Sequence, residues 1–396
     1  MAAQMIAAGD AWSNLPRDLL GEVYARVASP LGRVRFTAVC RSWRAVTSLR
    51  PPAPTIPWLI ISPHEGGTAK RVLCPVDGAL LRVPLPPEAI GKRLVGFHDG
   101  GWIAVAATST VVAGGESQLA IVNLFSGAEV PLSAKQRTTP WIKKLVFSEA
   151  PTPDRRCILA AILADRLAVC SVGCGNNDKQ WVFLDCLSSY DDIALCHGTK
   201  LYGLRTSDLL VHDIHITKHG DPAVGEARTL RVNQLPKCEG MGFNVSYILK
   251  HGDSKLLMAK RAWWSQENKG FFFKVFELVK IRNTRNYHSW AEVTTLDDNA
   301  LFLSASCSRM VCVPAGRHGR VEANHIYYNN VNLIGDEKSI CGDVELATCG
   351  NGQHLYCGED RKFNGVDMIM SVRYYVPCRQ HNNLMWLLPP DFEPSL

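Results

Sequence analysis

His98-Asp99-Gly100-Gly101 runs straight into Trp102-Ile103-Ala104-Val105, a polar, glycine-bearing turn followed by a short apolar strand. The phrase returns along the chain. His197-Gly198-Thr199-Lys200 precedes Leu201-Tyr202-Gly203-Leu204, His251-Gly252-Asp253-Ser254-Lys255 precedes Leu256-Leu257-Met258, and Asp298-Asn299 precedes Ala300-Leu301-Phe302-Leu303. Weaker copies stand at Asp154-Arg155-Arg156 before Cys157-Ile158-Leu159 and at Gly350-Asn351-Gly352-Gln353 before Leu355-Tyr356-Cys357. The starts, at 98, 154, 197, 251, 298 and 350, are 56, 43, 54, 47 and 52 residues apart. An irregular period of about fifty residues is what propeller blades produce, each a small antiparallel sheet that buries its faces against its neighbours around an axis. Alternation at Leu209 and Val211, and again at Phe273, Val275, Phe276 and Leu278, fits strands within such blades. The expectation over 58–390 is therefore an all-β, propeller-like domain of six or seven irregular blades, with a two-sheet β domain as the alternative. No Trp-Asp ending recurs, so the commonest blade signature is absent.

Upstream the pattern is different. Pro16 is well placed at a helix start, with Ser13 or Asn14 as a cap and Asp18 in the first turn. Leu15, Leu19, Val23 and Val27 recur every four residues and, joined by Leu20, predict one apolar face. Ser29-Pro30-Leu31-Gly32 interrupts it, and a second periodic stretch runs through Val34, Phe36, Val39, Cys40, Trp43 and Val46. Two or three short helices over 12–50 follow, needing a partner surface or the next domain to cover their apolar side chains. Pro51, Pro52, Pro54 and Pro57 then make 51–57 a stiff boundary.

Charge is concentrated at the same end. Residues 12–50 hold seven Arg, no Lys and two acids, so +5 of the chain's formal +6 lies there. That suits an acidic partner at this segment better than a nucleic-acid surface spread over the protein. The 14 Cys are scattered along 396 residues, and the Ala-rich first eleven residues lack a basic stretch leading into an apolar core. Reduced, largely buried thiols in the nucleus or cytoplasm are expected. The strongest apolar run, Cys157 to Ala164, stops at Asp165-Arg166 and is too short for a membrane span.

A search for chemistry finds little. Gly173-Cys174-Gly175-Asn176-Asn177-Asp178-Lys179 is phosphate-loop-like, but the register is wrong and Gln180-Trp181-Val182-Phe183 reads as a strand; a hairpin turn is expected. Cys170 and Cys174, Cys307 and Cys312, and Cys341, Cys349 and Cys357 lack the tight matched pairs of a zinc site, so no metal or cofactor is expected. His98, His197 and His251 occupy comparable turns, where an architectural role is the simpler account. No nucleophile turn or acid–base pair supports catalysis, which leaves a propeller enzyme as an alternative carried only by the convergence of those three histidines. Trp263-Trp264, beside Lys260-Arg261 and a polar stretch over 265–270, is a candidate protein-binding spot.

Trp12-Ser13-Asn14-Leu15-Pro16, Leu19-Leu20 and Val23, followed by Phe36 and Val39-Cys40-Arg41-Ser42-Trp43-Arg44, closely resemble an F-box. Leu31-Gly32-Arg33 stands where many members carry an acidic residue. The order Asp298-Asn299-Ala300-Leu301-Phe302-Leu303, Ser306-Cys307-Ser308, Asn324-His325-Ile326-Tyr327-Tyr328 and Trp386-Leu387-Leu388-Pro389-Pro390 resembles the plant F-box group whose carboxy-terminal region is called DUF295. The resemblance implies a small all-α F-box module joined to a propeller-like domain that recruits an unknown protein substrate. It implies that Leu15, Pro16, Leu19, Leu20, Val23 and Val27, with Val39, Cys40 and Trp43, form or support the surface for a Skp-family adaptor. The adaptor brings cullin and RING subunits, so the chain would serve protein ubiquitination as the substrate receptor of an SCF ubiquitin ligase and need no catalytic residue. A DNA-binding regulator is a further alternative, disfavoured because the second helical stretch is strongly apolar.

Overall fold

The structure, a computed structural model, describes residues 12, 15–27, 30–47, 55–61, 67–107, 117–152, 155–163, 166–173, 180–184, 190–205, 208–218, 222–225, 228–232, 241–252, 255–264, 271–281, 287–313, 321–329, 344–348, 354–360, 369–376 and 384–389. Three short helices open it: α1 (Arg17–Ala25), α2 (Pro30–Ala38) and α3 (Arg41–Val46). Pro30 does not interrupt a helix. It begins one, at a position where its missing N–H costs nothing. The second periodic stretch is likewise two helices rather than one, because Val39 and Cys40 break it and Cys40 takes an extended conformation before α3.

The rest is mainly β-structure, arranged in six groups among the described residues, with a four-residue helix at Ala134–Arg137 and short 3-10 turns at Pro87–Ala89 and Asp99–Gly101. The first holds β1 (Trp58–Ile61), β2 (Ala69–Leu73) and β3 (Leu80–Pro84). Next come β4 (Lys92–His98), β5 (Trp102–Ala107), β6 (Ser117–Asn123) and the short β7 (Thr138–Thr139), then β8 (Ile142–Phe147), β9 (Cys157–Leu163), β10 (Arg166–Val172) and β11 (Val182–Leu184). The fourth is β12 (Asp192–Cys196), β13 (Lys200–Leu204), β14 (Leu209–Ile216), β15 (Pro222–Val224) and β16 (Arg228–Val232). The fifth is β17 (Met241–His251), β18 (Lys255–Trp264), β19 (Phe271–Lys280) and β20 (Tyr287–Val293). The sixth combines β21 (Asn299–Leu303), β22 (Ser308–Cys312), β23 (His325–Asn329), β24 (Val344–Thr348), β25 (His354–Glu359) and β26 (Met370–Tyr375) in the order β22-β21-β23-β26-β25-β24. The last strand, β27 (Met385–Leu387), returns to the first group and pairs antiparallel with β1, Trp58 opposite Leu387 and Ile60 opposite Met385.

Hydrophobic packing shows how the groups are disposed. One buried cluster lies between each consecutive pair. Ile60 and Leu387 meet Leu94 and Val105; Ala104 and Ile121 meet Leu145 and Leu159; Ile158 and Val169 meet Leu195 and Leu201. Cys196 and Leu209 then meet Met258 and Phe276, and Leu257 and Val275 meet Leu301 and Tyr328. The sixth cluster, with Phe302, Tyr327 and Tyr374 on one side and Leu59, Ile61 and Trp386 on the other, joins the last group to the first. Six sheets each packed on two neighbours form a closed ring, the propeller architecture, and the blade count is six among the described residues. Trp386 fastens the closure: its ring meets Phe302 and Tyr374 edge-on at 5.0 and 5.3 Å, and its Nε1–H donates to the Leu303 carbonyl at 3.2 Å.

The repeated phrase has one structural meaning in four blades and another elsewhere. The phrases at 98, 154, 197 and 251 join the first and second strands of blades two to five. That hairpin needs unusual backbone conformations, and His197, Gly198, Gly100 and Gly252 all adopt positive φ. The phrase at 298 instead lies between β20 and β21, a connection between blades, while that at 350 lies largely outside the described residues. Close approach of two inner strands is possible because Gly96 has no side chain: a Cβ there would collide with the Leu145 carbonyl oxygen across the parallel β4–β8 contact. Among the described residues no helix is long and apolar enough to cross a membrane.

Candidate functional site

The helical module has its own small core. Leu20, Tyr24, Phe36 and Val46 are buried together, with Leu15, Val27 and Trp43 packed against them. The aromatic members meet in series with tilted rings, Tyr24 to Phe36 at 5.1 Å and Phe36 to Trp43 at 4.5 Å, and Trp43 Nε1 donates to the Trp12 carbonyl at 3.2 Å. This separates side chains that the four-residue period had grouped. Leu20 points inward, whereas Leu19 and Val23, one turn apart, are 53% and 45% exposed. Leu20 is thus a support of the module rather than part of its outer face. Pro16 is exposed beside them, Val39 beyond the end of α2 is 54% exposed, and Trp12 is 60% exposed. Leu15, Val27, Cys40 and Trp43 are half-buried.

The consequence is chemical as well as geometric. With the inner stripe satisfied by packing, Leu19, Val23, Val39 and Trp12 remain as apolar side chains on the outside of the module. Around it the cations are unequal. Arg33 is 1% exposed, and Arg26 pairs with Glu22 at 2.9 Å, so neither is presented as a free phosphate contact. The Cys40 thiol is held below its usual range by the Ser42 hydroxyl, 3.4 Å away, and by the Trp43 backbone.

The propeller offers polar groups near its inner strands, but as ties between blades. Lys144 on β8 and Asp192 on β12 form a buried ion pair at 2.5 Å. The other Asp192 oxygen accepts the Ile248 amide of β17 at 2.8 Å, so one carboxylate joins three blades. Arg309 of β22 reaches Asp99 in the turn of the second blade at 2.6 Å. Burial pushes the neighbouring His98 imidazole below its usual value, and its ring packs on Phe147 at 6.0 Å. A second buried cluster lies between the fifth and sixth blades. Tyr328 and Ser371 both donate to Asp360, at 2.9 and 2.6 Å, Arg373 lies 3.5 Å from it, and Arg261 sits over the Tyr328 ring. Burial raises the Asp360 carboxyl above its usual value despite those partners.

The remaining sequence candidates fall as follows. His98, His197 and His251 occupy equivalent hairpins, and among the described residues no three His, Cys, Asp or Glu side chains gather as a metal site. Cys170 is part of an interblade core, Cys307 is buried and Cys312 is exposed, while Cys174, Cys341 and Cys349 lie outside the described residues. The segment 174–179 also lies outside them, but β10 and β11 on either side pair antiparallel, so a strand and not a phosphate-binding helix follows it. Trp263 and Trp264 are residues of β18, opposite Gly242 and Met241; their side chains and 265–270 lie outside the described set. Arg261 is buried over Tyr328 instead of standing beside them at the surface.

A closed β-propeller with an apolar-faced helical module in front of it is the class that fold and site define. The sequence profile of the KIB1-4 beta-propeller family matches residues 72–354, and the chain belongs to that family. No curated protein matches the chain. Among solved structures, hydrazine synthase from Kuenenia stuttgartiensis is similar at 11% identity over 63% of this chain and 68% of that one, with a TM-score of 0.35. An engineered GH43 glycoside hydrolase aligns at 11% identity over 52% of each chain, with a TM-score of 0.20.

Proposed function

We propose that the chain is the substrate-recognition subunit of an SCF-type E3 ubiquitin ligase, a plant F-box protein whose DUF295 region is the propeller. The observation that carries this reading is the outward set Leu19, Val23 and Val39 on a module whose own core is already filled. These side chains, with Pro16, meet a Skp-family adaptor, through which cullin and RING subunits bring a charged E2. Leu20, Tyr24, Phe36 and Trp43 hold that face in shape. The propeller binds a protein substrate, and joining the two binding events in one chain raises the local concentration of a substrate lysine at the E2 thioester. No side chain of this chain takes part in the covalent step, and the complex works in the nucleus or cytoplasm.

The test is affinity capture from plant cells of the native chain and of a Leu19→Ala/Val23→Ala/Val39→Ala variant. The variant is expected to lose adaptor and cullin while keeping the proteins held by the propeller. Equal recovery of adaptor by both, or by neither, would refute the docking face.

A further inference from the structure

We infer that Arg33 is a positioning residue, holding the adaptor-docking module at a fixed angle to the propeller; this rests on the receptor reading above for its functional meaning. The side chain is 1% exposed within a three-helix module too small to hide a charge without dedicated partners. Its Nε donates to the Val27 carbonyl at 2.9 Å, at the exit of α1. Its Nη1 donates to the Thr55 hydroxyl at 3.2 Å, across 22 residues of sequence. Thr55 directly precedes Ile56, which is buried with Trp386 and Phe302 in the cluster that closes the propeller ring. One planar guanidinium therefore ties the exit of α1 to the residue next to Ile56, which is anchored in the propeller core.

The chemistry favours orientation over mere cohesion. A guanidinium donates in a rigid fork with set directions, so engaging the Val27 and Thr55 groups together fixes both the distance and the angle between them. An ammonium on a flexible stem would not reproduce both contacts. On the ring side of the joint Ile56 is packed in the closing cluster, and on the module side Val27 packs on the Leu20–Phe36 core. In a ligase receptor, a fixed angle determines whether a substrate on the propeller reaches the charged E2, since effective concentration collapses when geometry forbids simultaneous engagement.

The experiment uses the full-length chain carrying bio-orthogonal spin labels at Ala38, exposed at the end of α2, and Leu80, exposed on β3. Pulsed dipolar spectroscopy of the native chain is expected to give one narrow distance peak. Thr55→Val and Arg33→Lys are expected each to lose that single peak to a broad distribution, while calorimetry of Thr55→Val shows unchanged affinity for the Skp-family adaptor. Arg33→Lys also risks loosening the module; Thr55→Val leaves the Arg33–Val27 contact in place and keeps the inference testable. A broad distribution in the native chain, or a native-like narrow peak in both variants, would overturn it. Failure of the native chain to bind adaptor would instead remove the receptor reading, with the distance measurements still deciding the role of Arg33.

Discussion

Replacing Trp386 tests whether the ring closes as described. The side chain is 1% exposed, meets Phe302 and Tyr374 edge-on, and donates its indole N–H to the Leu303 carbonyl. Trp386→Ala removes all of this at the seam between the sixth and first blades. Truncating a buried Trp in a core costs about 3–5 kcal/mol, and the two aromatic pairs, each worth about 0.5–1.5 kcal/mol beyond burial, place the expected loss toward the upper end. Trp386→Phe keeps an aromatic ring but leaves the Leu303 carbonyl without its donor; a lost hydrogen bond of about 1 kcal/mol and a modest cavity give roughly 1–3 kcal/mol. Urea unfolding followed by far-ultraviolet circular dichroism measures both, and an unchanged slope would assign the loss to native-state stability. Trp386→Ala within about 0.5 kcal/mol of native, in the range of ordinary surface substitutions, would refute closure by the carboxy-terminal strand.

Other perturbations probe other parts. Asp192→Ala leaves Lys144 buried without its carboxylate and is expected to cost about 3–5 kcal/mol, whereas a double-mutant cycle with Lys144→Met should show strong coupling; additive losses would contradict the interblade tie. Burial lowers the His212 imidazole below 6.5, with the Tyr190 hydroxyl 3.3 Å from its Nε2. A depressed folded-state value means that its contribution is present above the unfolded value and is lost as pH falls through the folded one. Native protein should therefore lose stability relative to His212→Gln as pH falls below about 6.5, the ordinary imidazole value, and parallel pH dependences would contradict this. Leu20→Ala should cost about 2–5 kcal/mol of module stability, read by hydrogen exchange in α1, while exposed Leu19→Ala should change it by less than about 0.5 kcal/mol.

How much was legible in the sequence depends on the range of the signal. The polar turn followed by an apolar strand is local, and it located four equivalent hairpins correctly. The same phrase at Asp298-Asn299 marks a connection between blades, because a polar turn suits any strand entry and does not record which strand follows. Six blades became distinguishable from seven only through packing, since Met385–Leu387 completes the blade begun by Trp58–Ile61 more than three hundred residues earlier. Within the helical module, a four-residue period put Leu19 and Leu20 on one face. The structure divides them because adjacent residues on a helix point about 100° apart, and Tyr24, Phe36 and Val46 take the Leu20 side. Arg33 stood out in the sequence as charge and, within Leu31-Gly32-Arg33, as a departure from the F-box pattern, but its buried role was not legible because its partners Val27 and Thr55 lie in different segments. The Asp360 cluster left no local trace for the same reason: Tyr328, Asp360, Ser371 and Arg373 meet only after the sixth blade folds.

Leu19, Val23 and Val39 together allow the central claim to be weighed. Fully burying such a side chain is worth about 1.5–3 kcal/mol, and since about half of each remains exposed in the free chain, adaptor docking can gain about 1 kcal/mol from each. The direct measurement is isothermal titration of a purified Skp-family adaptor into the native chain and into the Leu19→Ala/Val23→Ala/Val39→Ala variant, with matched circular dichroism. The account predicts a one-to-one complex for the native chain and an affinity lower by about 100-fold, some 3 kcal/mol, for the variant. No native binding, or equal binding by both, would contradict it.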